Sequence, residues 1–221
     1  MKKKILAICI GFVLAVTAIT SVTLAYLTDT KTQVNTFTSG NVNITLDEAK
    51  VVLDNEGYIA SYDGRTDQKQ SYGIVFPGQT ITKDPTITNV GSEKAYVAAK
   101  VVISADDLDT LIGINDSNLL GYDDILQGGL LNADNEDKCT IIPVKESKDD
   151  LAIYIFVNDP LAKDEDVVLF NTLKIYSGWD NDDISKGMTI TVTAYASQTQ
   201  TFDSCYTAMT TAFGNVFEFN N

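Results

Sequence analysis

The sequence predicts an all-β protein: an antiparallel β-sandwich with a few short helices, preceded by an N-terminal signal helix. Short segments that alternate apolar and polar residues recur along the chain, with turn residues between them. Helical spacing is confined to two short stretches, and an uncharged apolar run occupies the start of the chain. These observations divide the 221 residues into a signal peptide (1–25), an extended segment (26–36) and a β-sandwich domain (37–221).

The first 25 residues have the pattern of an export signal. Three lysines precede an apolar run from Ile5 to Ala25 that carries no charge. Small residues at Thr23 and Ala25 predict peptidase cleavage between Ala25 and Tyr26. The run, about 20 residues long, could also cross a bilayer, so an uncleaved signal anchor is the alternative. Cleavage would remove the three lysines and change the net charge from −14 to −17.

Four segments have the clearest strand pattern, namely Ala95–Ile103, Leu151–Val157, Val167–Ile175 and Thr189–Ala196. The last alternates strictly and the first has apolar residues at every second position, so each is predicted to turn one face towards the core. Their predicted inward residues are Val97, Ala99, Val101, Ile103, Ile190, Val192, Ala194 and Ala196. Leu151–Val157 is apolar on both faces, so we expect a loop or helix to cover its outer side.

Further strands are predicted at Phe37–Leu46, Gly73–Phe76, Thr80–Val90 and Thr140–Val144. Pro85 has no N–H to donate to a ladder, so its strand either lies at a sheet edge or begins just after the proline. Acidic loops separate the strands, and the chain contains no internal repeat. A single domain with long loops is therefore expected.

Two helices interrupt the β pattern. Ser104 begins a capping-box sequence, and apolar residues at helical spacing follow it as far as Gly113. The second helix is capped by Asp203 or Ser204 and carries an apolar stripe that ends before Gly214. We expect that stripe to pack against the core of the sandwich.

The cysteines and one acidic loop supply the candidate cross-link and the candidate metal site. Cys139 and Cys205 lie far apart in an exported chain, where they could form a disulfide or remain two buried thiols. Asp180–Asp183 clusters oxygen ligands of the kind that bind Ca²⁺, but contiguous acids depart from the EF-hand spacing. We therefore expect no cofactor, and calcium is the one weak candidate.

The composition restricts the enzymatic chemistry of the chain. It has no histidine, which excludes the paired-histidine zinc helix of metalloproteases and every triad that uses imidazole as base. No serine lies in a recognisable nucleophile turn, and there is no glycine-rich phosphate loop. Arg65 is the only arginine, and the negative net charge repels nucleic acid. The sequence thus predicts neither catalysis nor nucleic-acid binding.

Several blocks of sequence, from both ends of the chain, combine specific residues in a fixed order. They read AYLTD at 25–29, NTFTSGNV at 35–42, FPGQTITKDP at 76–85, TNVGS at 88–92 and AYASQ at 194–198. These blocks resemble the TasA/camelysin family of Gram-positive bacteria. The resemblance implies a jelly-roll-like sandwich, a signal peptide that a SipW-type peptidase processes, and secretion to the cell surface or extracellular matrix.

The resemblance also implies a function. In fibre-forming members of the family, the N-terminus that cleavage creates donates a strand to the next subunit, and the resulting fibres form part of the biofilm matrix. The expected partners are further copies of this chain, with a related accessory matrix protein as an additional partner. Camelysin itself is described as a metalloprotease, an activity we do not carry over because this chain has no histidine.

The strand chemistry of residues 26–36 agrees with a donor role. Eleven residues at about 3.3 Å each span roughly 36 Å, enough to cross a sandwich as one strand. Every second residue of the segment lies on one face of an extended strand, and these residues are mainly β-branched or aromatic: Tyr26, Thr28, Thr30, Thr32, Val34 and Thr36. Leu27 is the only large apolar residue of the other parity. The alternatives are a strand that pairs within its own domain, or a soluble secreted binding module for calcium or carbohydrate.

Overall fold

A computed structural model describes residues 41–106, 108, 131–132, 138–175 and 187–217. All described residues belong to one compact unit, Gly40–Asn221. Within the described ranges, no helix is long and apolar enough to cross a membrane.

The described residues form eleven strands and two short helices. The strands are β1 Ile44–Leu53, β2 Ile59–Thr66, β3 Thr80–Thr82, β4 Thr86–Asn89, β5 Ala95–Ser104, β6 Leu131–Asn132, β7 Cys139–Lys145, β8 Asp150–Val157, β9 Asp166–Val168, β10 Thr172–Lys174 and β11 Thr189–Gln198. The helices are α1 Cys205–Ala212 and α2 Gly214–Phe217. Paired strands within the sheets are antiparallel, which confirms the all-β prediction. The jelly-roll form of the sandwich stays a prediction.

Three sheets build the sandwich. The largest has the order β11-β5-β8-β7, and the other two have the orders β2-β1-β4-β9 and β3-β10-β6. Alternate residues of β5 and β8, such as Val101 and Ile153, face a core that also contains Ile81, Ile87 and Leu173 from the smaller sheets. Because this core excludes nearly all water from these side chains, its apolar area supplies most of the stabilisation of the fold.

The opposite face of the large sheet packs against the C-terminal helices. Phe156 of β8 contacts the ring of Phe217 at 5.3 Å between centroids, and Ala208 and Met209 of α1 are fully buried in the same cluster. Helix α1 begins where Ser204 accepts a hydrogen bond from the N–H of Thr207. This arrangement confirms the predicted helix and explains why β8 is apolar on both faces.

Two predicted strands are each divided in the structure. The predicted strand Val167–Ile175 becomes β9 and β10, because its first half pairs with β4 and its second half with β3. The predicted strand Thr80–Val90 becomes β3 and β4. Strand β4 begins directly after Pro85, which is one of the two arrangements predicted for this proline. Each division lets one stretch of chain pass from one small sheet to the other.

Other predictions were incomplete or wrong. The predicted strand Gly73–Phe76 contributes only one isolated bridge, between Ile74 and Tyr58. Strand β2 was missed, because its polar sequence IASYDGRT has too few apolar residues to produce a clear alternation. The helix predicted to begin at Ser104 lies largely outside the described residues, within which Leu108 is helical and buried.

Candidate functional site

An open groove of about 790 Å³ lies between the first half of β11 and the smaller sheets. Its apolar lining includes Ile190 and Val192 of β11, Leu46 of β1, Ile81 of β3 and Leu173 of β10. The two β11 side chains belong to the main core yet are only half-buried. The groove therefore exposes part of the sandwich core to solvent.

Strand β11 forms the wall of this groove and is an edge strand. It pairs with β5 along its whole length, from Thr189 opposite Ser104 to Gln198 opposite Ala95. Among the described strands, none pairs with its other edge. An unpaired edge leaves a row of N–H and C=O groups that another strand can bind.

The groove also contains a polar cluster, formed by Glu48, Gln70, Tyr72 and Lys83. The Lys83 ammonium lies 2.5 Å from the Glu48 carboxylate, and the side chains are 6% and 16% exposed. Gln70 donates to the other Glu48 oxygen at 3.0 Å, and the Tyr72 hydroxyl donates to Glu48 at 3.3 Å. Burial, followed by the charge of Glu48, raises the pKa of Tyr72, so its hydroxyl stays protonated.

Two further ion pairs, both made by Arg65, fix the backbone beside the groove. The Arg65 guanidinium of β2 donates to the carboxylates of Asp47 and Asp84, the latter at 2.8 Å, and to the Thr86 hydroxyl at 2.6 Å. Asp84 also accepts from the N–H of Ala49. These bonds join β2, β1 and the link between β3 and β4, and they hold Glu48 and Lys83 at neighbouring positions.

The sequence-predicted site residues fall into two groups. The predicted cleavage site at Ala25 and Tyr26, the donor segment 26–36 and the calcium candidate Asp180–Asp183 all lie outside the described residues. Among the described residues, no group of three His, Cys, Asp or Glu side chains could hold a metal ion.

Cys139 and Cys205 are described, and both are free, buried thiols. Cys139 belongs to the core between the sheets, whereas Cys205 packs on the helix-covered face of the large sheet and donates to the Val97 carbonyl at 3.2 Å. The bridge that the sequence allowed is thus absent from the structure, because the two side chains lie on opposite faces. Burial raises the pKa of Cys139 to about 11 and that of Cys205 to about 12.

Sequence reasoning assigned no role to Glu48 or Lys83. A signal was present: Glu48 continues the inward parity of Ile44 and Leu46, and Lys83 continues that of Ile81. A charged residue at an inward position is costly unless it is paired. That the two charges pair with each other depends on how β1 and the residues after β3 come together.

Comparisons with known proteins give one match. The family model described as camelysin metallo-endopeptidase matches residues 1–57. No curated protein and no solved structure matches the chain. The predicted resemblance to the TasA/camelysin family is therefore confirmed, through a match that covers roughly the N-terminal quarter of the chain.

Proposed function

We propose that this chain is a secreted structural protein of the cell surface or extracellular matrix that self-assembles into fibres. After cleavage, residues 26–36 of one copy would add as a strand to β11 of the next copy. The single observation that carries the proposal is that none of the described strands pairs with the outer edge of β11, beside a groove in which core side chains remain half-exposed. The match to camelysin supports a secreted protein of the matrix type at the level of the family.

Strand addition would satisfy both features of the groove. The donated backbone would bond to the free edge of β11, and its inward side chains would cover Ile190 and Val192. Each apolar Å² removed from water contributes about 25 cal/mol, so closing the groove favours the assembled state.

The exit point of the N-terminal segment can be located relative to β11. Ile44 of β1 pairs with Asn89, whose side-chain amide donates to the Leu161 carbonyl at 3.0 Å. The same carbonyl accepts from the N–H of Ala95, and Ala95 pairs with Gln198 at the end of β11. Strand β1 therefore begins beside the C-terminal end of β11.

This position favours pairing between copies over pairing within one chain. A strand added antiparallel to β11 with its β-branched parity facing the groove would bring Thr36 opposite Ile190, about 26 Å from the end of β11 where Asn41 lies. Five residues span at most about 18 Å, so a chain cannot place its own segment in that orientation. Antiparallel ladders are the more stable kind per residue, and a second copy provides one without this restriction. Head-to-tail addition of this kind does not close, so it propagates as a filament.

The test uses the processed chain with two prolines in the donor segment, Thr30→Pro and Lys31→Pro. Successive N–H groups of a strand point to opposite edges, so one of the two prolines removes a bond to β11 whatever the register. We expect fibres in negative-stain micrographs of the processed chain and of the matched Thr30→Ala and Lys31→Ala variant, but not of the proline variant. N-terminal sequencing of the secreted product should begin at Tyr26.

Two results would contradict the proposal. One is fibre growth in the proline variant at the rate of the alanine control. The other is secreted material that retains its leader. The proposal also assigns no catalysis to the chain, so a casein cleavage assay should remain negative; cleavage that a chelator abolishes would restore the peptidase activity named for the family.

A further inference from the structure

The groove that would accept the donor strand is not uniformly apolar. The polar cluster of Glu48, Gln70, Tyr72 and Lys83 lies in its lining beside Ile81 and Leu46, with Lys83 only 5% exposed. We propose that this cluster is a selectivity subsite that favours a threonine-bearing strand over an all-apolar one. The inference rests on the proposed function and deepens it, because it states which strand chemistry the groove accepts.

Lys83 and Glu48 keep hydrogen-bonding positions that no described residue fills. Lys83 has three N–H donors, and two are engaged, one with Glu48 and one with the Tyr72 hydroxyl at 3.5 Å. Glu48 accepts one bond at Oε1, from Gln70, and two at Oε2, whereas a carboxylate can accept about four. Counting partners among the described residues, one donor and one acceptor position therefore remain for a hydroxyl group that enters the groove.

An incoming strand would change the surroundings of this ion pair. A strand that covers the groove removes water from Glu48 and Lys83, and charges that lose water without gaining hydrogen bonds are destabilised. A threonine hydroxyl can donate to the carboxylate or accept from the ammonium, whereas an isosteric valine can do neither. The cluster thus penalises valine and tolerates threonine at the position that meets it.

The donor segment has the composition that this subsite requires. Its β-branched parity carries threonine at four of six positions, Thr28, Thr30, Thr32 and Thr36. A donor strand that only had to fill an apolar groove would be expected to carry valine, isoleucine or leucine at such positions. The match between a threonine-rich strand and a groove with a buried ion pair identifies the occupant as this segment from a second copy.

The experiment is a double-mutant cycle on the processed full-length chain. One substitution set neutralises the subsite, Glu48→Gln with Lys83→Met, and removes both charges together so that neither is left unpaired. The other set removes the donor hydroxyls that an antiparallel strand would place over the first half of β11, Thr32→Val and Thr36→Val. The critical concentration for fibre formation is measured for the original chain, each set and the combination.

We expect the valine donor to raise the critical concentration on the order of tenfold with the original groove, since one buried hydroxyl bond is lost. When Glu48→Gln and Lys83→Met are present, the valine-bearing segment should assemble as well as the threonine-bearing segment, or better. A matched control replaces Lys100→Met and Glu146→Gln, an ion pair of 2.6 Å that belongs to β5 and the residue after β7 and does not line the groove. In that background the preference for threonine should be unchanged.

The outcomes separate the two proposals. Suppose that the original chain forms fibres, but the threonine-to-valine set raises the critical concentration equally with the original cluster and with the Glu48→Gln, Lys83→Met cluster. The subsite inference is then overturned while the proposed function stands. If the original processed chain forms no fibres, both fail. Thermal melting of each variant by circular dichroism establishes that a change in assembly does not arise from unfolding, because the double neutral variant is expected to melt within a few degrees of the original.

Discussion

Strands β8 and β11 are both neighbours of β5 in the large sheet, yet their surroundings differ. Residues 151–157 of β8 are all buried, because the core between the sheets covers one face and the C-terminal helices cover the other. In β11, Ser197 alone is buried, and Ile190 and Val192 lie half-open in the groove. Within the same sheet, one strand is therefore closed on both faces, whereas another keeps a face that is half-open to solvent.

The largest expected effect is on the closed strand, β8. Phe156→Ala removes a ring that is 1% exposed and contacts Tyr206 and Phe217. We expect the free energy of unfolding to fall by about 3–5 kcal/mol, since the cavity cannot fill without moving α1 or α2. Urea denaturation followed by circular dichroism measures this value, and a loss under about 1 kcal/mol would mean that the helices do not hold β8 closed.

A matched pair of isoleucine substitutions compares the two strands directly. Ile153→Ala in β8 should destabilise the domain by about 2–5 kcal/mol, whereas Ile190→Ala in β11 should cost about half as much because its side chain is already half-exposed. The order should reverse for fibre growth, in which Ile190 would be covered by the donor strand. Equal losses of stability would show that the groove is already closed in solution.

A smaller effect is expected at the cap of α1. Ser204→Ala removes the acceptor for the N–H of Thr207, which lies 3.2 Å from the serine oxygen. The expected loss is about 1 kcal/mol, and Ser204→Asp, which restores an acceptor, should recover most of it. Urea denaturation of the three chains measures the series; no difference between alanine and aspartate would argue that the cap does not stabilise the helix.

The smallest effect concerns pH. Burial raises the pKa of Cys205 to about 12, above the value near 8.5 of an unfolded thiol. The protonated thiol thus contributes stability that is fully present below about pH 8.5 and is lost as pH rises towards 12. Between pH 8 and 10, the free energy of unfolding should fall less steeply in Cys205→Ala than in the original chain. Parallel slopes would mean that the thiol is not buried.

The elements that the sequence predicted well are those whose pattern is local. Apolar residues at every second position placed β5 and β11 and their inward residues, and the cap at Ser204 with an apolar stripe placed α1. Strand β2 was missed because it is a mainly polar edge strand, held by pairing with β1 and by Arg65. Its formation depends on partners distant in sequence rather than on its own residues.

For the site, the sequence by itself determined that the chain lacks the histidines that most hydrolytic chemistry needs, and it predicted a leader and a threonine-rich segment that can extend as a strand. Only the tertiary structure decided that β11 is an edge among the described strands, that a groove opens beside it, and that Glu48 and Lys83 meet in its lining. The physical reason is that side-chain parity is fixed along one strand, whereas strand order and the pairing of buried charges arise when separate segments pack together.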